Sequence, residues 1–223
     1  MEKNKININD YSAVIFDMDG VLIDSEPLWK IAMEDVFQSI GANLHKKDFE
    51  KTVGLRIDEV ISYWYEQTKW EGVSPKEVLN RILDNMLILI EKHGKPLIGV
   101  VETLSFLQKK GLKIGLSTSS YEVLIQKVIE KLEIKNFFNA THSAEKERYG
   151  KPHPDVYLHT AKLLNVSPLK CLVIEDSLTG IISGKAARMQ VVCIPEKTHQ
   201  INPKIQLADF IFESMKEFLI AIQ

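Results

Sequence analysis

Four apolar residues, Ala13-Val14-Ile15-Phe16, run without a break into Asp17-Met18-Asp19-Gly20, and no other stretch restricts the fold of this chain so strongly. An apolar run of strand length that ends in acids and a glycine predicts a buried strand stopping at a polar edge. Two carboxylates one residue apart at such an edge repel each other and lose hydration, unless a cation or a proton takes up the charge. A metal site is one reading, a solvated Asp-x-Asp-Gly turn the other, and residues further along the chain decide between them.

After Gly20, Val21 to Ile23 leads to Asp24-Ser25-Glu26-Pro27. Ser25 or Asp24 is expected to cap a helix whose first turn tolerates Pro27 and which Gly41 stops after about Ile40. From Trp29 to about Lys95 the apolar residues keep helical spacing, as in Val60, Ile61, Trp64, Tyr65 and again in Val78, Leu79, Ile82, Leu83, Met86, Leu87, Ile90. No strand pattern interrupts them. A helical block of about sixty residues is too long for a simple crossover, so residues 24–95 are expected to form an inserted helical cap. Its edges fall at Asp24-Ser25 and Gly94-Lys95-Pro96.

Beyond Leu97 the pattern changes to alternating helix and strand. Helices are expected at about Val100–Lys110, Tyr121–Leu132, Asp155–Leu164, Thr179–Ala187 and Met215–Ile222. Strands are expected at Lys113–Leu116, Phe137–His142, Cys171–Ile174, Val191–Ile194 and, weakly, Phe210-Ile211. Such alternation with short turns implies an α/β fold: a Rossmann-like, doubly wound parallel sheet made of residues 1–23 and 96–223, binding ligands beyond the carboxyl ends of its strands.

Three of those strands run directly into polar groups: Asp17-x-Asp19, Ser117-Thr118-Ser119-Ser120 and Glu175-Asp176-Ser177. In a parallel sheet they share one edge. Hydroxyls and turn amides beside a helix N-terminus suit a phosphate oxygen, although a ligand-free helix cap has the same composition. Four gathered carboxylates call for a cation, and Mg²⁺ is the hard ion that favours carboxylate, carbonyl and water oxygens. Lys151, in Gly150-Lys151-Pro152-His153-Pro154, is either a surface lysine or the charge that balances those acids and holds a phosphoryl group.

Composition narrows the alternatives. The chain of 223 residues has a formal net charge of −2 and no basic stripe, which gives nucleic acid or an anionic membrane no electrostatic hold. Cys171 and Cys193 lie inside apolar runs, and no segment has the roughly 20 apolar residues that span a bilayer. A monomeric, cytoplasmic protein with reduced thiols is expected.

The ordered set Asp17-x-Asp19-Gly, strand-end Thr118, Lys151-Pro-x-Pro154 and Glu175-Asp176 resembles the haloacid dehalogenase-type phosphohydrolases, in their β-phosphoglucomutase-like subgroup. Ile23-Asp24-Ser25-Glu26-Pro27-Leu28-Trp29, Gly54-Leu55-Arg56-Ile57-Asp58, Ser143-Ala144-Glu145-Lys146 and Lys151-Pro152-His153-Pro154 look like the bacterial hexitol phosphatase and 2-deoxyglucose-6-phosphate phosphatase group. The resemblance implies a Rossmann-like core, a cap inserted after the first strand, and Mg²⁺-dependent phosphoryl transfer through an aspartyl phosphate. Carried over residue by residue, Asp17 is the nucleophile and Asp19 the general acid and base. Met18, Thr118, Ser119, Ser120 and Lys151 hold the phosphoryl oxygens. Asp17, the Asp19 carbonyl and Asp176 bind the metal, with Glu175 joining directly or through water.

Substrate choice is assigned to the cap. Arg56 is either a solvated arginine at a helix start or, in the loop Val53-Gly54-Leu55-Arg56, a group that reaches a sugar hydroxyl or a second phosphate. Trp29 stands where related mutases carry a histidine of their proton relay, which favours a phosphatase over a mutase. A dehalogenase has no need of Asp19 to protonate halide, and a non-catalytic phosphate binder gains nothing from so many acids. His45, His93, His142, His153, His159 and His199 have no spacing that suggests a metal site and are expected on surfaces or loops.

Overall fold

The computed structural model describes residues 6–52, 54–196 and 202–223; Val53 and His199 lie outside the described residues. Six strands form one sheet: β1 (Ala13–Phe16), β2 (Lys113–Thr118), β3 (Ala140–Ser143), β4 (Cys171–Glu175), β5 (Gln190–Cys193) and β6 (Phe210–Ile211). Their order is β3-β2-β1-β4-β5-β6 and each neighbouring pair is parallel. The chain winds outward from β1 to β3, then returns to the other side of β1 for β4. That reversal puts the carboxyl ends of β2, β1 and β4 side by side, with Phe16 in register with both Leu116 and Ile174. A crevice for ligands opens at such a switch point.

Every residue of β1 is fully buried because both faces of the sheet are covered. Val14, Phe16, Leu116 and Ile174 pack towards α4 (Val100–Lys109), α5 (Glu122–Lys131) and α8 (Met215–Ile222). Ala13, Ile15, Val173 and both cysteines face α6 (Asp155–Leu163) and α7 (Leu178–Ala186). Successive residues of a strand point to opposite faces, which is why one apolar run feeds two cores.

β3 begins later than expected. Lys135–Phe137 forms a 3₁₀ turn, and Phe137 and Phe138 pack on the core instead of pairing. Pairing starts at Asn139, which exchanges hydrogen bonds with Ile114 through its amide nitrogen and its side-chain oxygen, each at 2.8 Å.

Between β1 and α4 the described residues form α1 (Glu26–Ser39), α2 (Ile57–Thr68), α3 (Pro75–His93) and a 3₁₀ turn at Asp48–Thr52, with no strand. Phe37, Phe49 and Trp70 stack about an aromatic centre, Phe37 meeting Phe49 at 5.8 Å and Trp70 at 5.6 Å between centroids. Aromatic pairs of this kind add about 0.5–1.5 kcal/mol beyond burial. Where the chain leaves and re-enters the sheet layer, Ile23 and Pro96 are bridged side by side, and Leu97 N–H donates to the Leu22 carbonyl at 3.1 Å. No helix among the described residues is long and apolar enough to cross a membrane.

Two expectations need correction. Ser25 sits at the N-cap of α1 but makes no side-chain cap bond; its hydroxyl donates to Asp19 instead. Nor are His142 and His159 isolated surface residues, since both converge on the buried carboxylate of Glu147.

Candidate active site

Asp17 begins where β1 ends, its backbone N–H bonded to the Ile174 carbonyl at 2.9 Å, so the strand pairing itself aims the carboxylate out of the sheet edge. Lys151 Nζ reaches Asp17 Oδ1 at 2.7 Å and Glu175 Oε1 at 2.6 Å, and all three groups are buried. Burial pushes the Asp17 carboxyl up to about 7, helped by Glu175 and Asp19 and opposed by Lys151. The same burial would lower the Lys151 ammonium, but Asp17 and Glu175 outweigh it and hold the charge on. Asp176 is raised well above the usual carboxylate range by burial first, then by Glu175, Asp17 and Glu196.

Glu175 is occupied on all sides. Besides Lys151 it accepts the Tyr157 hydroxyl at 2.6 Å, the amides of Asp176 and Ser177 and the Ser177 hydroxyl. Burial would raise its pKa, yet Lys151, Tyr157 and Ser177 bring it below the ordinary value. A Cβ at position 180 would lie 1.8 Å from Glu175 Oε1, so only glycine at the start of α7 leaves room for this carboxylate. With so many donors Glu175 anchors Lys151. Gly20 serves Asp176 in the same manner: it has φ +72°, and a Cβ there would meet Asp176 Oδ2 at 2.2 Å.

Asp17, Glu175 and Asp176 offer carboxylate oxygens within 4.8 Å of one another. The side chain of Asp19 turns away from them. Its Oδ1 accepts the Ser25 hydroxyl at 2.5 Å and the Trp29 indole N–H at 3.1 Å; its Oδ2 accepts Ser120 Oγ at 2.6 Å and Thr118 Oγ1 at 3.4 Å. Thr118 Oγ1 also accepts the Ser120 amide at 3.1 Å. Among the described residues, the buried Ser119 hydroxyl has no partner although Ser119 lines the cleft. Met18 is buried in the core beneath these groups and does not line the cleft, so its side chain has no part in phosphate contact.

Opposite the acids, α1 and the segment leading into α2 roof the cleft with Trp29, Met33, Phe49, Leu55 and Ile57, and Glu26 and Glu196 stand at its border. Arg56 is not among the lining residues. Its Nε and Nη2 are taken by Asp58 at 2.6 and 2.8 Å, and its Nη1 donates to the carbonyls of Ala144 and Glu147 at 2.9 and 3.1 Å. In this structure the Arg56 guanidinium fastens α2 to the loop after β3. Sequence reasoning missed Glu26, Met33, Tyr157 and Glu196. Glu26, Trp29 and Met33 follow a helical i, i+3, i+7 spacing that could have found that face of α1, and Glu196 obeys the same strand-end rule as Asp17 and Asp176.

The family described as haloacid dehalogenase-like hydrolase matches residues 14–194. Over 206 residues the chain is 42% identical to hexitol phosphatase B of Escherichia coli strain K12, covering 92% of this chain and 93% of that protein. It is 30% identical over 178 residues to a phosphorylated carbohydrates phosphatase of Thermotoga maritima, covering 80% and 82% of the two chains. The solved structure of the β-phosphoglucomutase of Clostridium difficile matches with a TM-score of 0.79 and 26% identity, over 92% of each chain. The extent of the family match, together with the phosphatases at 30% identity and above, makes this chain a haloacid dehalogenase-like hydrolase of the phosphatase branch.

Proposed function

We propose that the enzyme hydrolyses small sugar or sugar-alcohol phosphates, of the hexitol phosphate or 2-deoxyglucose-6-phosphate type, through a phosphoryl intermediate on Asp17 with Mg²⁺ as cofactor. The observation that carries this reading is the constellation of Asp17, Asp176 and Lys151 at neighbouring strand ends, with Asp19 beside it, under an apolar roof. The identity to hexitol phosphatase B supports the substrate class, and the cleft sets the polar groups of the strand ends against an apolar roof, as small-molecule sites do.

Mg²⁺ fits the donor set. One lysine faces three carboxylates, and the Asp176 side chain has no hydrogen bond among the described residues, so a divalent ion would balance the excess negative charge. Asp17, Asp176 and the Asp19 carbonyl would hold it, with Glu175 behind them. Bound there, the ion would screen the approach of a carboxylate to a phosphate and draw charge from the phosphoryl oxygens.

In the first step an Asp17 carboxylate oxygen forms a bond to phosphorus as the ester oxygen leaves, and Asp19, carrying a proton, passes it to the departing alkoxide. In the second, the Asp19 carboxylate takes a proton from water, the water oxygen attacks phosphorus, and phosphate leaves with Asp17 restored. Lys151, Thr118, Ser120 and the Ser119 amide would hold the phosphoryl oxygens. Residues 24–95 would act as a lid that excludes water during transfer, and the chain would work as a cytoplasmic monomer. Trp29 in contact with Asp19, in place of a relay histidine, favours hydrolysis over the mutase reaction of the β-phosphoglucomutase relatives. A panel of phosphorylated hexitols and hexoses assayed with Mg²⁺ tests the reading: release of inorganic phosphate is expected, and isomer formation without phosphate release would replace it with a mutase.

A further inference from the structure

His142 on β3, Glu147 in the turn after Ala144–Lys146, and His159 on α6 meet at the β3 edge of the sheet. His142 Nε2 and His159 Nδ1 both contact the same atom, Glu147 Oε1, at 2.5 Å. The imidazoles stand edge to face with centroids 5.4 Å apart. One potential donor atom from each residue lies within 4.8 Å of the others. The Glu147 side chain is 5% exposed and that of His142 12%, whereas His159 is 51% exposed, so the cluster opens to solvent on one side only.

We infer that His142, Glu147 and His159 form a second cation site, for a borderline transition ion of the Zn²⁺ kind and separate from the hard-ion site of the catalytic acids. Two imidazole nitrogens and one carboxylate oxygen match the three-ligand sets that bind Zn²⁺ and leave a fourth position for water. The ligand class separates the two sites: imidazole suits Zn²⁺, Ni²⁺ and Cu²⁺, whereas Mg²⁺ keeps to oxygen ligands. Zn²⁺ ligands in a tetrahedron are about 3.3 Å apart at the usual bond lengths, so the two nitrogens have to draw back from Glu147 Oε1 by less than an ångström. The exposed ring of His159 has the freedom to move.

An ion would be held by the lone pairs of His142 Nε2 and His159 Nδ1, with any ring N–H kept on the other nitrogen of each imidazole. An ion would tie together β3, the following loop and α6. Because Arg56 Nη1 donates to the Glu147 carbonyl at 3.1 Å, the same loop is the one to which α2 is fastened. A bound ion would therefore stiffen the seat on which the helical insertion rests.

Metal-stripped full-length protein, held in excess Mg²⁺ to fill the catalytic acids, is titrated with Zn²⁺ alone and followed by calorimetry and thermal unfolding. The expected result is one equivalent bound per chain and a rise in Tm. His159→Gln and Glu147→Gln should each weaken Zn²⁺ by more than the roughly 10–100-fold that loss of an outer-shell partner costs, and Asp176→Asn should leave it unchanged. Visible absorption of Co²⁺ bound to the wild-type protein provides a readout that needs no variant, with four-coordinate bands expected. Equal Zn²⁺ affinity in wild type and His159→Gln would overturn the assignment, as would loss of binding in Asp176→Asn alone or absence of stoichiometric binding in excess Mg²⁺.

Discussion

Trp29 donates its indole N–H to Asp19 Oδ1 over 3.1 Å, on the oxygen that also accepts the Ser25 hydroxyl. Both donors ride on the start of α1, while Ser120 and Thr118 hold the other oxygen from the sheet side. Four donors occupy both oxygens of Asp19 and fix the direction its carboxyl faces, which is what proton transfer to a leaving group needs. Trp29→Phe keeps the apolar bulk and deletes one donor. A hydrogen bond to a charged group contributes about 1.5–3 kcal/mol, and kcat for a sugar phosphate should fall about ten-fold, with a smaller loss for an activated aryl phosphate. Equal rates in the variant and wild type would reduce Trp29 to packing.

Asp19→Asn removes the proton donor altogether. General acid catalysis accounts for roughly 10²- to 10⁴-fold, so alkyl phosphates should lose about that much while an aryl phosphate, whose phenolate needs little help, loses far less. Kinetics on both substrates side by side decide the matter, and matched losses would make Asp19 a structural residue.

Asp17→Asn should abolish turnover, because an amide oxygen is a poor nucleophile of nearly the same shape, and it should also change how stability depends on pH. With its carboxyl pushed up to about 7 by burial, the folded protein keeps a proton that the unfolded chain gives up near pH 4. More protons bound in the folded state mean that stability falls as pH rises from about 4 to about 7. Thermal melts in chelator across that window should show a shallower decline in the variant than in wild type. Identical slopes would contradict the assigned proton.

Mg²⁺ should raise the Tm of the wild-type protein more at pH 7.5 than at pH 5.5, since at the lower pH a proton already satisfies Asp17. Phosphate release should stop with chelator, and Asp176→Asn should raise the Mg²⁺ concentration needed for half-maximal rate. Undiminished turnover in fully chelated enzyme would remove the metal from the mechanism.

Arg56→Ala should lower kcat/KM for a hexitol phosphate and for an aryl phosphate by the same factor. Its guanidinium grips Asp58 and two loop carbonyls, and its loss loosens the seat of α2 without removing a group from the cleft. A loss confined to the hexitol substrate would return Arg56 to the role of a sugar-binding residue.

Residues whose function follows from strand ends are legible in the sequence: Asp17, Thr118, Glu175 and Asp176 each close or follow an apolar run, and a parallel sheet has no choice but to bring them together. Arg56 is not, because the fate of a long cationic side chain depends on which acceptors lie within its reach, and the Ala144 and Glu147 carbonyls are about ninety residues away in the chain. The late start of β3 is hidden for a related reason. Phe137 and Phe138 have strand-like composition, but the hydrogen-bond partners that decide pairing belong to β2. Tyr157 reads as one more apolar position of α6, and only the packing of that helix across β1, β2 and β3 brings its hydroxyl to Glu175.

Cys171 and Cys193 occupy neighbouring strands on the face of the sheet under α6 and α7, and burial pushes their thiols up to about 11 and 12, with Asp176 and Glu175 adding to the second. At neutral pH neither presents a thiolate to an electrophile, so the native enzyme should tolerate peroxide and alkylating agents. The pair is thus a built-in clock for opening of the sheet. Labelling by a chromogenic disulfide can proceed only as fast as β4 and β5 come apart from their helices, and that rate measures kinetic stability without any added probe.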